Sequence, residues 1–157
     1  TEIYTLSLHD ALPIFRRGCF ERLGLFQEWL GAGTPLKGGE DTEFILRLLM
    51  AGGRALYAPA PTVFHDNWMP RPRSRRQLRG YAWALALVLG GFLWRGRLAV
   101  GRLYLRQMGS YLKGLKRAAL ALEGAGLGHF GWLLVLHGLG LAAAPRHLGR
   151  RPPSLEA

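Results

Sequence analysis

The sequence predicts a mixed α/β piece followed by a basic, mostly α-helical appendage. Three observations predict this. First, a helix-patterned run, Glu40–Met50, is closed by Gly52 and Gly53. Two short extended runs follow it, Arg54–Ala58 and Thr62–His65, with Pro59 and Pro61 as stops. Second, the chain beyond residue 80 alternates uncharged apolar stretches with one strongly periodic helix. Third, charge is divided unevenly. The 157 residues carry 21 Lys+Arg against 10 Asp+Glu, a formal net charge of +11. Residues 15–70 are balanced, with Arg16, Arg17, Arg22, Lys37, Arg47 and Arg54 set against Glu21, Glu28, Glu40, Asp41, Glu43 and Asp66. Beyond residue 70 the only acids are Glu123 and Glu156, so the whole basic surplus sits there. Such asymmetry between segments points to two different jobs.

Composition excludes several classes. At 49% hydrophobic the chain is too apolar for a disordered polybasic tail. One cysteine, Cys19, excludes an internal disulfide framework and a multi-cysteine metal site. Cys19 itself has no evident base nearby and is expected to pack rather than react. No internal period is present.

The elements follow in order. Thr1–Ile14 (TEIYTLSLHDALPI) lacks the basic start and long apolar run of a signal peptide. It resembles the in-frame translation of a common short-read sequencing adapter, so residues 1–14 are expected to be an artefact and His9 and Asp10 to carry no function. Excluding them removes Glu2 and Asp10 and raises the net charge by two. Phe15–Leu30 places Cys19, Phe20, Leu23, Phe26 and Leu30 at roughly helical spacing, broken at Gly24. Gly31–Gly39 (GAGTPLKGG) reads as a loop. Glu40–Met50 has an apolar face of Phe44, Ile45, Leu48 and Leu49. Its acidic first turn suits the positive end of the helix dipole, and Asp41 is a candidate N-cap.

Pro70–Arg79 reads as an arginine-rich linker, and Gly80–Trp94 as an uncharged run too short for a full membrane span. Arg97–Leu122 is the most periodic helix, with Val100, Tyr104, Leu105, Met108, Tyr111, Leu112, Leu115, Ala119 and Leu122 on one face. Arg102, Arg106, Lys113, Lys116 and Arg117 lie opposite. A basic polar face beside an apolar one suits an anionic membrane surface, and a helix packed on the preceding segment with a solvated basic face stays open beside it. Gly124–Pro145 is 22 residues without formal charge, but its glycines and two histidines leave a spanning, re-entrant or surface-lying helix all open. His129 and His137 suggest no metal site. Arg146–Arg151 and the proline-rich end read as a frayed terminus.

The pieces FRRGCFERLGLF, GAGT, GGED opening a helix, RLLMAGGR, YAP and VFH stand in this order between Phe15 and His65. Together they resemble the second half of a family 2 glycosyltransferase catalytic domain of the GT-A fold; singly none is specific. One departure is Gln27, where the family often has an acid at a structural position. The resemblance implies a truncated, Rossmann-like GT-A half-domain over residues 15–70; charge and apolar patterning, not the resemblance, make 71–157 a basic helical tail expected to associate with a membrane.

It implies an inverting transfer from a nucleotide-sugar donor to a polysaccharide, glycolipid or lipid-linked acceptor. Asp41 would be the catalytic base, and Glu40 with Gly39 would shape the acceptor site or orient the turn. Trp68, beyond the matched run, is a candidate to stack on an acceptor sugar, and a surface-docked aromatic stays open beside that role. His65 would hold a divalent metal (Mg or Mn) or the donor diphosphate; a half-buried strand-end histidine stays open beside that role. The family's donor half carries a DxD-type motif, which this chain lacks. A fragment inactive by itself is therefore expected, from an enzyme at the cytoplasmic face of the cell membrane. Two other readings compete: a basic nucleic-acid-binding protein, disfavoured because no nucleic-acid motif is present, and a non-catalytic membrane adaptor.

Overall fold

The structure is a computed structural model that describes residues 13–58 and 71–147. Five α-helices and one 3₁₀ turn follow in order: α1 (Arg17–Leu23), α2 (Glu40–Met50), α3 (Arg71–Trp94), α4 (Ala99–Leu120), α5 (Gly124–Ala143) and the turn Ala144–His147. The adapter-like run, apart from Pro13 and Ile14, lies outside the described residues, as do Thr62–His65 and Trp68.

The α/β expectation is overturned: the described residues contain no strand and no sheet, and their regular structure is helical. Arg54–Ala58 is not a strand. It is exposed throughout, with Leu56 93% and Tyr57 61% accessible. A strand is completed by hydrogen bonds to a neighbour, and no described segment lies beside it in that role. Pro70–Arg79 also differs from its reading as a linker, because α3 runs unbroken from Arg71 to Trp94. Arginine and glutamine are good helix formers, and Pro72 sits in the first turn, where proline is tolerated.

Helices α1 and α2 meet through an aromatic knot. Phe44 is fully buried, and the rings of Phe15 and Phe20 each lie 4.7 Å from it, with Phe26 at 5.2 Å. Edge and tilted contacts of this kind add to simple burial. Gly24, in a left-handed conformation (φ 78°), ends α1 by donating its N–H to the Phe20 carbonyl.

Helix α3 is the centre of the molecule. One side takes Leu30 and Leu46 from the N-terminal segment into a core with Ala84, Leu85, Val88, Leu89, Phe92 and Val100. Its other sides carry α4 and α5, so the two segments of the chain share one core. Close approaches set the helix directions. Ala86 meets Gly140 and Gly90 meets Ala144, making α3 and α5 parallel. Gly114 meets Phe130 and Ala118 meets Gly126, making α4 and α5 antiparallel. The result is an up-down-up trio. Trp94 donates its indole N–H to the Leu141 carbonyl (2.9 Å), and the Tyr104 hydroxyl donates to the His137 carbonyl (3.1 Å). His147, in the 3₁₀ turn after α5, stacks on Trp29 at 4.6 Å and ties the C-terminal part back to the loop after α1.

Candidate functional site

The loop Gly31–Gly39 is closed on itself. Thr34 organises it: its hydroxyl donates to the Gly31 carbonyl (2.9 Å) and accepts from the Leu36 and Lys37 amides (both 3.2 Å). The Gly31 amide donates across the neck to the Gly38 carbonyl (3.4 Å). Two glycines then deliver the chain into α2, each for a physical reason. A Cβ on Gly38 would lie 2.5 Å from the ring of Tyr81. Gly39 is left-handed (φ 91°), and a Cβ there would meet that of Ala84 at 3.2 Å. The loop that precedes the acidic turn is thus seated directly on α3.

Gly39, not Asp41, is the N-cap of α2; Glu40 and Asp41 are its first two residues. Asp41 still serves the helix end. Its Oδ1 accepts the Thr42 amide at 2.6 Å and lies 3.4 Å from the Thr42 hydroxyl, and the carboxylate is half-buried. Glu40 is half-buried against Gly31, with its Cδ 3.1 Å from where a Gly31 Cβ would stand. Its Oε2 is buried and has no hydrogen-bond partner among the described residues. A buried carboxylate oxygen without a partner carries an unoffset desolvation cost. With Glu43, three acids occupy the first turn, where the helix dipole favours negative charge.

Gly39, Glu40 and Asp41 are consecutive residues at the start of α2, while His65 and Trp68 lie outside the described residues. No three His, Cys, Asp or Glu side chains converge among the described residues. Glu40 and Asp41 alone do not make a metal's donor set.

Sequence reasoning missed the support beneath the site. Glu43 and Arg47 form a two-bond ion pair (2.8 and 3.1 Å) whose side chains are only 10% and 15% exposed. Arg47 also donates to the carbonyls of Leu23 and Leu25 and lies over the Phe44 ring at 4.8 Å. The i,i+4 spacing was the available signal. Gln27, at the position where the family often has an acid, is buried and accepts the Trp29 indole N–H at 3.1 Å, which is a structural role.

Burial pushes the Glu43 carboxyl above its ordinary value of 4.5, and the bonds and charge of Arg47 offset this only in part. A raised folded-state pKa means the folded chain binds this proton more tightly than the unfolded one. Stability from this group is therefore greatest at low pH and falls as pH rises from 4.5 through the raised value. Replacing Arg47 by Met leaves Glu43 and two carbonyls unpaired. We expect a loss of about 3 kcal/mol at neutral pH and a smaller one at acid pH, where Glu43 is neutral. Urea midpoints at two pH values measure it, and an equal loss at both would show that the charge of Glu43 is irrelevant.

Comparison with models of protein families, with curated proteins and with solved structures finds no match to this chain.

Proposed function

We propose that this chain is part of an inverting family 2-type glycosyltransferase working at the cytoplasmic face of the cell membrane. Asp41 acts as the base. It takes the proton of an acceptor hydroxyl as that oxygen bonds to the anomeric carbon of a nucleotide-sugar, and the bonding pair leaves with the nucleotide diphosphate. Glu40 and Gly39 shape the acceptor side of the turn. On this reading Trp68 would serve the acceptor site and His65 would hold a divalent metal (Mg or Mn) or the donor diphosphate; both lie outside the described residues. The acceptor is a polysaccharide, glycolipid or related lipid-linked glycan. On this reading donor binding calls for a DxD-type motif, which these 157 residues do not contain.

The observation that carries this reading is the turn itself. A loop braced by Thr34 and seated on α3 holds two neighbouring carboxylates at a helix start, and one has a buried oxygen without a described partner. A rigid mount of this kind suits a base that must meet its hydroxyl in one geometry. The reading rests on this turn and on α2, not on a sheet. The membrane side is supported more coarsely: Gly124–His147 is a helix long and apolar enough to cross a membrane. The test is sugar transfer by the full-length enzyme carrying Asp41→Asn.

A further inference from the structure

The tail offers two unpartnered outer faces. Leu98 at the N-cap of α4, and Leu105 and Leu112 on the helix, are exposed and recur every seven residues, so they form one stripe. Arg102 and Lys116 border that stripe and Arg106, Lys113 and Arg117 lie just beyond; all five are exposed. On α5, Trp132, Val135 and Leu139 are exposed on a face to which α5 itself contributes no charged residue. Leucines flanked by cations match the acyl–phosphate boundary of an anionic bilayer, where the stems of lysine and arginine lie along apolar surface and their heads reach phosphate.

The packing of the trio then limits how it can sit. The Tyr104 hydroxyl meets the His137 carbonyl near one end of the α4–α5 contact, and Ala118 meets Gly126 near the other. The two helices thus run side by side for about 16 Å, more than half the ~30 Å hydrocarbon core. Were α5 to cross, α4 would be drawn in beside it, with cations spread from Arg102 to Arg117. Helix α3 would bring Arg79, whose guanidinium lies 5.7 Å from the Trp132 ring centre. Charges on a lipid-facing helix are excluded from that core. We infer that α5, although long enough to span, does not: the trio lies flat in one leaflet of an anionic membrane, with both ends of α5 on the same side. This deepens the membrane part of the proposed function and rests on it.

The test uses the full chain expressed in cells, with Cys19→Ser as background and Ala125→Cys or Arg146→Cys added at the two exposed ends of α5. Inverted membrane vesicles, cytoplasmic surface outward, are treated with a membrane-impermeant maleimide. Equal labelling of both positions without detergent is expected. Labelling of one end only until detergent is added overturns the flat arrangement while leaving membrane association intact. Purified protein is then sedimented with phosphatidylcholine vesicles with and without phosphatidylglycerol. Binding should require the anionic lipid, and Leu105→Asp with Leu112→Asp should weaken it on the order of tenfold or more. Lys113→Gln with Lys116→Gln should weaken binding to the anionic vesicles only, and unchanged helicity verifies that each variant folds. No sedimentation with either vesicle overturns the membrane reading and this inference together. Leucine-dependent self-association or tight, salt-dependent DNA binding without lipid binding assigns the face to another occupant and overturns it equally.

Discussion

In the full-length enzyme, Asp41→Asn is expected to lower sugar transfer by about 10²- to 10⁴-fold, the usual worth of a positioned general base. The substitution is close to isosteric. An Asn oxygen still accepts the Thr42 amide that Asp41 Oδ1 holds at 2.6 Å, so α2 keeps its first turn and only the proton acceptor is lost. The loss should appear in the turnover step, with thermal stability and donor affinity nearly unchanged. Glu40→Gln is the informative companion. Its Oε2 is buried without a described partner, so neutralising it is expected to change acceptor affinity more than turnover. Wild-type rates in the Asp41→Asn enzyme would remove Asp41 as base, and with it the central element of the proposed mechanism.

The second large effect lies in the tail, between two glycines two residues apart. Gly140→Val should destabilise the fold by about 1–3 kcal/mol, because a Cβ there would stand 2.4 Å from that of Ala86, with the Ala86 backbone at 3.4 Å. Alanine has no rotamer that could withdraw, so α3 and α5 must part. Gly138→Ala has open space around it and should stabilise by up to about 1 kcal/mol through helix propensity alone. Thermal unfolding of the two variants side by side provides the check. Destabilisation by both, or by neither, would contradict the observed register of α3 on α5.

What the sequence made legible was local. Helix α2 begins and ends where glycine pairs, an acidic first turn and a 3.6-residue apolar pattern place it, Glu40 to Met50. The loop Gly31–Gly39 and the break at Gly24 were equally readable, because their glycines meet a backbone requirement. What failed depended on distant partners. Arg54–Ala58 has the composition of a strand, but composition does not show whether a neighbouring strand exists. The arginines of 71–79 looked like a solvated linker, yet the same residue type extends a helix. On α4 the apolar face was visible, but not how much of it is covered. Leu105 and Leu112 remain exposed, whereas Gly114 and Ala118, too small to register in a hydrophobic pattern, are buried against α5. At the site, the acids of the turn were legible. Thr34 and the Glu43–Arg47 pair act through local bonds that the pattern of residue types does not single out, and Tyr81 acts through tertiary contact.

Those small-residue contacts have a consequence for the proposed attachment to a membrane. Gly114 on Phe130, Gly126 on Ala118 and Gly140 on Ala86 hold the trio by surface fit. Attraction of that sort does not depend on expelling water and works in lipid as it does in solution. The three helices should therefore keep one arrangement in both phases, and attachment becomes the transfer of a finished body between solvents rather than a folding event. Far-ultraviolet circular dichroism should register almost no gain in helix when anionic vesicles are added. A segment that folds on contact with lipid would show a large gain.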